Sequence, residues 1–369
     1  MNRRETERLL EAIRHARLAR ARVALATVVR VRGSAYRREG ATIVVREDGS
    51  YECLLSGGCL EPAVAEAAAR VLDSGVPAVL SYDLEEDSIW GLGIGCSGAV
   101  DIRIARLDDE PMTRSWLAAL ERAEAAVLAT SLDSRGARLL IREDGLLGTL
   151  GHASLDDEAA ARARALLKSV YPRSMAETLG PGEVFYHVSV PPPALFVFGA
   201  GHDAVPLVRQ AWELGFEVSV VDPRETFLTP DRFPRASLVH LRGAQYAGVL
   251  TLPRGSRVVI MNHHLRRDRE SLRLALESEA AWVGVLGPVS RLQKLLAALE
   301  AEGYVPSPSA RARVRSPVGL ALGAETPEEI AVSILAELIA LDRGFDGGFL
   351  TGRKTSLHRS PASRALARS

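Results

Sequence analysis

The sequence predicts an α/β protein of two domains, a mixed α/β domain over residues 1–188 and a doubly wound parallel sheet over residues 195–342. Three observations carry that prediction. Strand-like apolar runs alternate with helical periods through the second half, as in a parallel sheet covered on both faces. The stretch from Leu195 to Asp222, LFVFGAGHDAVPLVRQAWELGFEVSVVD, reads as strand, glycine turn, helix and strand in that order. Between the halves, the linker at 189–194 contains Pro191-Pro192-Pro193, and successive prolines join neither a helix nor a central strand.

The chain opens on a charged amphipathic helix with Leu9, Leu10, Ile13 and Ala16 at helical spacing, without the continuous apolar core of a signal peptide. Val23 to Val31 is a strand running into Gly33-Ser34-Ala35-Tyr36-Arg37-Arg38-Glu39-Gly40, a loop of small residues, a hydroxyl and two guanidinium groups. Thr42–Val45 and Tyr51–Leu55 form a hairpin across Asp48-Gly49. That places Cys53 within a strand, as a core residue. Ser56-Gly57-Gly58-Cys59 follows, then a helix to Asp73 with Pro62 in its first turn. Val79–Tyr82 and Ala99–Ile104 are strands separated by a second glycine loop, Gly91 to Gly98, which holds Gly95 and Cys96. Helices at 112–125 and 156–170 and strands at 126–130, 138–141, 146–150 and 183–188 complete the domain.

Beyond the linker, strands are expected at 195–198, after Gly215 and ending at Asp222, at 257–261 and at 282–286, with helices between them. Thr326-Pro327-Glu328-Glu329 is a capping box that opens a helix to Leu341. Residues 343–369 are expected to be a disordered tail, basic from Arg353 and without an apolar period.

A length of 369 residues suits two or three domains, and 47% hydrophobic with 25% charged residues is ordinary for a soluble globular protein. With 46 basic and 46 acidic residues there is no net drive toward nucleic acid or an anionic membrane. No apolar run is long enough to span a bilayer. Three cysteines argue against a disulfide framework and for a reducing, cytoplasmic setting.

Gly199, Gly201 and Ala204 match the G-x-G-x-x-G/A fingerprint, and Asp222 stands where a ribose-binding carboxylate would. Amides at the start of the following helix would face a pyrophosphate or similar anion. The fingerprint leaves the ligand open among mononucleotides, dinucleotides and phosphorylated cofactors. His202, Arg224, His263 and Gly287 also fall at carboxyl ends of strands, where such sheets bind ligands. Arg224 is open between pairing with Asp222 and binding phosphate, and His202 between capping the helix and touching an anion. Neighbouring His263 and His264 point to opposite sides on leaving a strand, which disfavours a shared metal. Cys59 and Cys96 each sit in a glycine loop, and both core packing and a functional role are open to them. Cys59 lies at a helix start, where the dipole and free amides favour a thiolate.

Together these residues resemble a known family. Gly33-Ser34-Ala35 with Arg37-Arg38, Ser56-Gly57-Gly58-Cys59-Leu60-Glu61 and Gly95-Cys96-x-Gly98 are similar to the N-terminal domain of the XdhC/CoxI family. Phe198-Gly199-Ala200-Gly201-His202, Val221-Asp222-Pro223-Arg224, Gly284-x-Leu286-Gly287 and Ser316-Pro317-Val318-Gly319-Leu320 resemble its C-terminal Rossmann domain. Tyr36, Pro62, Ser97 and Asn262 depart from the residues common at those places, while the thiols and fingerprint glycines are kept.

The resemblance implies an accessory protein rather than an enzyme. It would bind the molybdenum cofactor (its molybdopterin form), hold it while a cysteine desulfurase supplies the terminal sulfur, and pass it to a molybdenum hydroxylase apoenzyme such as xanthine dehydrogenase or carbon monoxide dehydrogenase. It also implies a homodimer. Under it, Arg37, Arg38 and the amides from Gly199 to His202 are candidates for the cofactor's phosphate. Cys59 and Cys96 are candidates for contact with molybdenum or its sulfur, thiolate being a soft ligand. Gly33, Ser34, Ser56, Gly57, Gly58, Gly95, Asp222, Arg224, His263 and Gly287 complete the expected cofactor-binding set, with a separate nucleotide at the Rossmann turn as a further expectation. The alternatives are a nicotinamide-dependent oxidoreductase and a sulfur carrier with a persulfide on Cys59.

Overall fold

The computed structural model describes residues 2–84, 98–133, 135–169, 171–241, 246 and 248–352. Gly95, Cys96 and the tail from Arg353 lie outside the described residues. The chain divides into two compact units between Pro191 and Pro192.

The first unit begins with helix α1 (Arg3–Leu18), whose Asn2 and Glu5 form a capping box. Strands β1 (Val23–Gly33), β2 (Thr42–Arg46) and β3 (Tyr51–Glu52), helix α2 (Glu61–Ser74), and strands β4 (Ala78–Asp83) and β5 (Gly98–Arg106) follow. The five strands form an antiparallel sheet ordered β3-β2-β1-β5-β4. Alternation along β1 sends Ala24, Ala26 and Val28 into a core closed by Val64, Ala68 and Val71 of α2.

The hairpin is shorter than its composition suggests. The ladder ends at Glu52 because Cys53 takes a left-handed conformation, φ 73°. Cys53 is therefore in a turn, half-buried between two cores. Burial, then the neighbouring Glu52 charge, push its thiol above the ordinary range.

Helix α3 (Pro111–Glu121) and strands β6 (Ala126–Ser131), β7 (Arg138–Arg142) and β8 (Gly145–Thr149) come next, then α4 (Ala153–Lys168), β9 (Met175–Leu179) and β10 (Gly182–Ser189). These strands make a second antiparallel sheet, β8-β7-β6-β10-β9. Sequence reading passes over β9, an edge strand with few β-branched residues that is held to β10 through the Gly180 turn. Leu9, Ile13 and Ala16 of α1 pack with Val44 of the first sheet, Trp116 of α3 and Leu140 of the second sheet. Residues 1–188 thus contain two antiparallel sheets sharing a helical seam.

The second unit runs β11 (Ala194–Phe198), α5 (Ala204–Glu213), β12 (Glu217–Asp222), β13 (Ser237–His240), β14 (Arg257–Ile260), α6 (Leu265–Glu277), β15 (Trp282–Val285) and α7 (Val289–Ala301), then α8 (Pro308–Ala312), β16 (Val314–Arg315) and α9 (Pro327–Arg343). All six strands are parallel in the order β13-β12-β11-β14-β15-β16. This is the Rossmann order, with its direction reversing between β11 and β14. Helices α5 and α9 cover one face and α6 and α7 the other, each over its own core. The short strands β13 and β16 have too few residues to show a period.

Candidate functional site

One end of the first sheet gathers most of the N-terminal candidates. Gly33 pairs with Gly98, Thr27 with Thr42, Asp83 with Ala99 and Val44 with Glu52. The ends of β1 and β4 and the start of β5 therefore lie together, while β2 starts and β3 ends on the same side of the sheet but six and eight residues back along β1. Loop residues Ala35, Leu55, Leu60 and Leu84 all belong to the core under this sheet. Leu84 N donates to Gly98 O at 2.8 Å, and Gly98 packs so tightly on the Ser34 and Arg32 carbonyls that a Cβ would have no room.

Glu61 organises the Ser56–Cys59 loop. It is fully buried at the start of α2 and accepts from Leu55 N at 3.0 Å and Ser56 N at 2.8 Å, while the Ser56 hydroxyl donates to its other oxygen. Ser56 Oγ in turn accepts from the amides of Gly58, Cys59 and Leu60 at 3.2, 3.1 and 3.1 Å. Burial would raise the Glu61 carboxyl, but the Ser56 and Leu55 donors outweigh it and hold the group below its ordinary range. The amides expected to face the Cys59 thiol are thus turned onto Ser56 Oγ, and the anion at the helix start is Glu61. Cys59 itself is a free, exposed cysteine, flanked by Gly57 and Gly58, where a Cβ would meet nothing within 4 Å. Sequence reasoning quotes Glu61 without a role; the signal was a carboxylate at the first turn following a buried serine.

The two loop arginines already have partners. Arg37 pairs with Glu5 of α1, and Arg38 Nε lies 3.3 Å from Glu39. Burial would raise Glu5, but the Asn2 amide and Arg37 lower it overall.

In the second unit, the candidates cluster at the carboxyl ends of β11, β12 and β14. Gly199 has φ 118°, and a Cβ there would strike the Met261 carbonyl, so only glycine lets the turn pass against the end of β14. Its amide donates to Val221 O at 2.9 Å. Asp222 is buried and its oxygens take four donors: Ala200 N at 2.7 Å, and Arg224 N, Nε and Nη2 at 2.8, 2.9 and 2.7 Å. Four donors fill a carboxylate's acceptor capacity. Burial raises the Asp222 carboxyl, and Arg224 with the Ala200 amide more than reverses this. Of the two roles open to Arg224, the structure displays the pairing; its guanidinium also stacks 4.2 Å from the Phe227 ring centroid.

His202 is exposed, its ring edge-on to Phe227 at 6.4 Å. His263, left-handed at φ 56°, reaches Asp203 with Nε2 2.6 Å from Oδ2, tying the end of β14 to the start of α5. Among the described residues no acceptor is bonded to the amides of Gly201 or His202. His264 is the N-cap residue of α6. Asn262 is buried, donates to Asp268 Oδ1 and Ser271 Oγ, and its own Oδ1 has no partner among the described residues. Gly287, φ 109°, lies against Arg291, which pairs with the buried Asp268. The structure therefore brings together Gly199, Gly201, His202, Asp222, Arg224 and His263. Gly33 and Ser34, after β1, and Ser56–Cys59, before α2, lie in the first unit.

Residues 195–338 match the family described as the XdhC Rossmann domain, and residues 16–83 and 119–178 match the XdhC and CoxI family. The chain is 31% identical over 320 residues to a probable xanthine dehydrogenase subunit of Bacillus subtilis (strain 168), covering 85% of this chain and 92% of that protein. It is 25% identical over 318 residues to the molybdenum cofactor insertion chaperone PaoD of Escherichia coli (strain K12), covering 86% and 82%. A crystal structure described as a xanthine dehydrogenase from Bacillus halodurans superposes with a TM-score of 0.74 at 29% identity, over 95% of this chain and 99% of that one. Profile, sequence and architecture agree along both units, and the chain belongs to the XdhC and CoxI family.

Proposed function

We propose that this chain is a molybdenum cofactor-binding maturation chaperone, which holds the cofactor while a cysteine desulfurase supplies sulfur and then delivers it to a molybdenum hydroxylase apoenzyme. The observation that carries the reading is the likeness to a molybdenum cofactor insertion chaperone across 86% of the chain. The residues present fit the group. Cys59 offers an exposed thiol on a loop whose Gly57 and Gly58 leave open space for a bulky ligand, and thiolate is a ligand suited to molybdenum or its sulfur. Bound there, the cofactor would supply the metal centre. The chain's own part is to present Cys59 on a loop fixed by Ser56 and Glu61, and to hold a phosphate or a separate nucleotide at the amides of Gly201 and His202. Cys96, which falls between β4 and β5 in the sequence and outside the described residues, is the second candidate thiol, and a homodimer is the expected assembly. The protein acts without turnover of its own.

A nicotinamide-dependent oxidoreductase is less well served. Its ribose-binding group would be Asp222, whose acceptor positions are already filled.

The test is molybdenum and pterin content after expression in a host that makes the cofactor, with Cys59→Ala and Cys96→Ala purified alongside. Near-stoichiometric molybdenum and pterin in the wild type, lost in either variant, is the expected outcome. A wild type that carries neither, even after incubation with free cofactor, overturns the reading.

A further inference from the structure

Arg103 stands on β5 opposite Thr27 of β1 and Val79 of β4, two residues beyond Asp101 and on the same face of the sheet. Asp101 is occupied by Arg30 and Arg32. Arg138, a neighbouring cation, pairs with Glu110. Arg103 alone of this set has no hydrogen bond or ion pair among the described residues. Its guanidinium faces a cavity of about 260 Å³ lined also by Pro77, Ala78, Val79, Leu132 and Asp133. The turn after β6 closes over it: a Cβ on Gly136 would lie 2.6 Å from Arg103 Nη2.

Burial, and after it the charge of Arg138, lower the guanidinium to about 10, and the nearby Asp133 charge only partly offsets them. Such a charge is costly to keep, and an anion relieves it. Asp133 does not fill that role directly. Its Oδ1 accepts from Arg135 N at 3.0 Å and Gly136 N at 2.9 Å, which hold the carboxylate to its own turn, and its Oδ2 takes only a long, exposed contact of 3.4 Å from Arg135 Nη2.

We propose that this cavity binds a protonated phosphate group, free or as the end of a monoester, with Arg103 as its cation and Asp133 as the acceptor for its proton. The guanidinium fork matches two oxygens of a tetrahedral oxyanion. A carboxylate on the same wall repels an anion that has no proton to give, and accepts from one that has. Sulfate is thereby disfavoured and hydrogen phosphate favoured. Arg103 is five residues along β5 from Gly98, roughly 17 Å at ordinary strand rise. The inference is independent of the maturation role.

The test uses the full chain in phosphate-free buffer at pH 6, where a monoester retains its proton in about half of its molecules. Inorganic phosphate, methyl phosphate and sulfate are titrated by calorimetry and by thermal unfolding. Phosphate is expected to bind about tenfold more tightly than sulfate and to raise the unfolding temperature by a few degrees near saturation. Methyl phosphate binding as tightly assigns the cavity to monoesters, and binding tenfold more weakly assigns it to the free ion. Arg103→Gln should lose the phosphate response while unfolding no lower than wild type without phosphate, since it removes an unneutralised cation. Asp133→Asn, which keeps Oδ1 and Arg103, should bring sulfate within about threefold of phosphate by removing the repulsion. An equal phosphate response in wild type and Arg103→Gln overturns the proposal. Should Arg103→Gln not fold, an unchanged phosphate-to-sulfate ratio in Asp133→Asn overturns it alone.

Discussion

The Ser56 hydroxyl donates to the buried Glu61 carboxylate while its oxygen accepts three successive amides, from Gly58 to Leu60. One side chain thus shapes the loop, and another, five residues on, fixes that side chain from inside the helix start. The loop that presents Cys59 is prearranged, with its backbone bonded inward and its thiol outward.

Glu61→Ala should accordingly destabilise the first unit by about 3 kcal/mol or more, because the Leu55 and Ser56 amides and the Ser56 hydroxyl lose a charged acceptor in a buried place. Glu61→Gln keeps one carbonyl oxygen and should cost roughly half as much. The folded carboxyl sits below its ordinary value of 4.5, so its contribution is complete above that pH and is lost as pH falls through the lower folded value. Denaturant unfolding of wild type and Glu61→Gln at neutral pH and below pH 4 measures both effects; curves that converge only at acid pH are the expected result.

The fold was legible where period and glycine chemistry act locally. Leu195 to Asp222 declares its strand, turn and helix, and the Thr326–Glu329 capping box opens α9 as written. The short edges were not, since Met175–Leu179 and Val314–Arg315 depend on a neighbouring strand for their identity. The same limit applies to the sites. Gly199 and Asp222 could be found by spacing, but that Asp222 would be saturated by Arg224 and Ala200 depends on side-chain direction after the strand ends. Cys53 reads as strand because its neighbours do, and the left-handed turn that removes it has no glycine to announce it.

His187 provides a second pH dependence. Its ring is buried between Trp116 and Phe185, with centroids at 5.6 and 6.0 Å, and burial lowers its pKa to about 3. The unfolded chain takes up a proton near the ordinary value of 6.5 and the folded chain does not until about 3, so between those values the unfolded state holds the extra proton. Stability should therefore rise with pH across this window, and fall on acidification by about 1.4 kcal/mol per unit from this group. Thermal unfolding of wild type and His187→Phe between pH 7 and 5 separates this contribution: the variant should show a slope smaller by about one proton. Equal slopes would assign the acid sensitivity to other groups.

Gly57 and Gly199 make opposite demands of a methyl group, and their alanine variants separate fold from ligand. At Gly199 the backbone is at φ 118° and the Met261 carbonyl occupies the space a Cβ needs, so alanine must displace the end of β11 from the end of β14. Gly199→Ala is expected to destabilise the second unit by about 3 kcal/mol or more, visible as a lower unfolding midpoint. At Gly57 nothing lies within 4 Å of the added carbon and the residue is exposed, so Gly57→Ala should stay within about 0.5 kcal/mol of wild type. That neutrality makes it informative. If the Cys59 loop meets the cofactor closely, a methyl at Gly57 fills space the ligand uses, and molybdenum content should fall severalfold with the unfolding midpoint unchanged. Unchanged content and midpoint together would move the ligand away from Gly57 and leave the loop's order to serve the thiol alone.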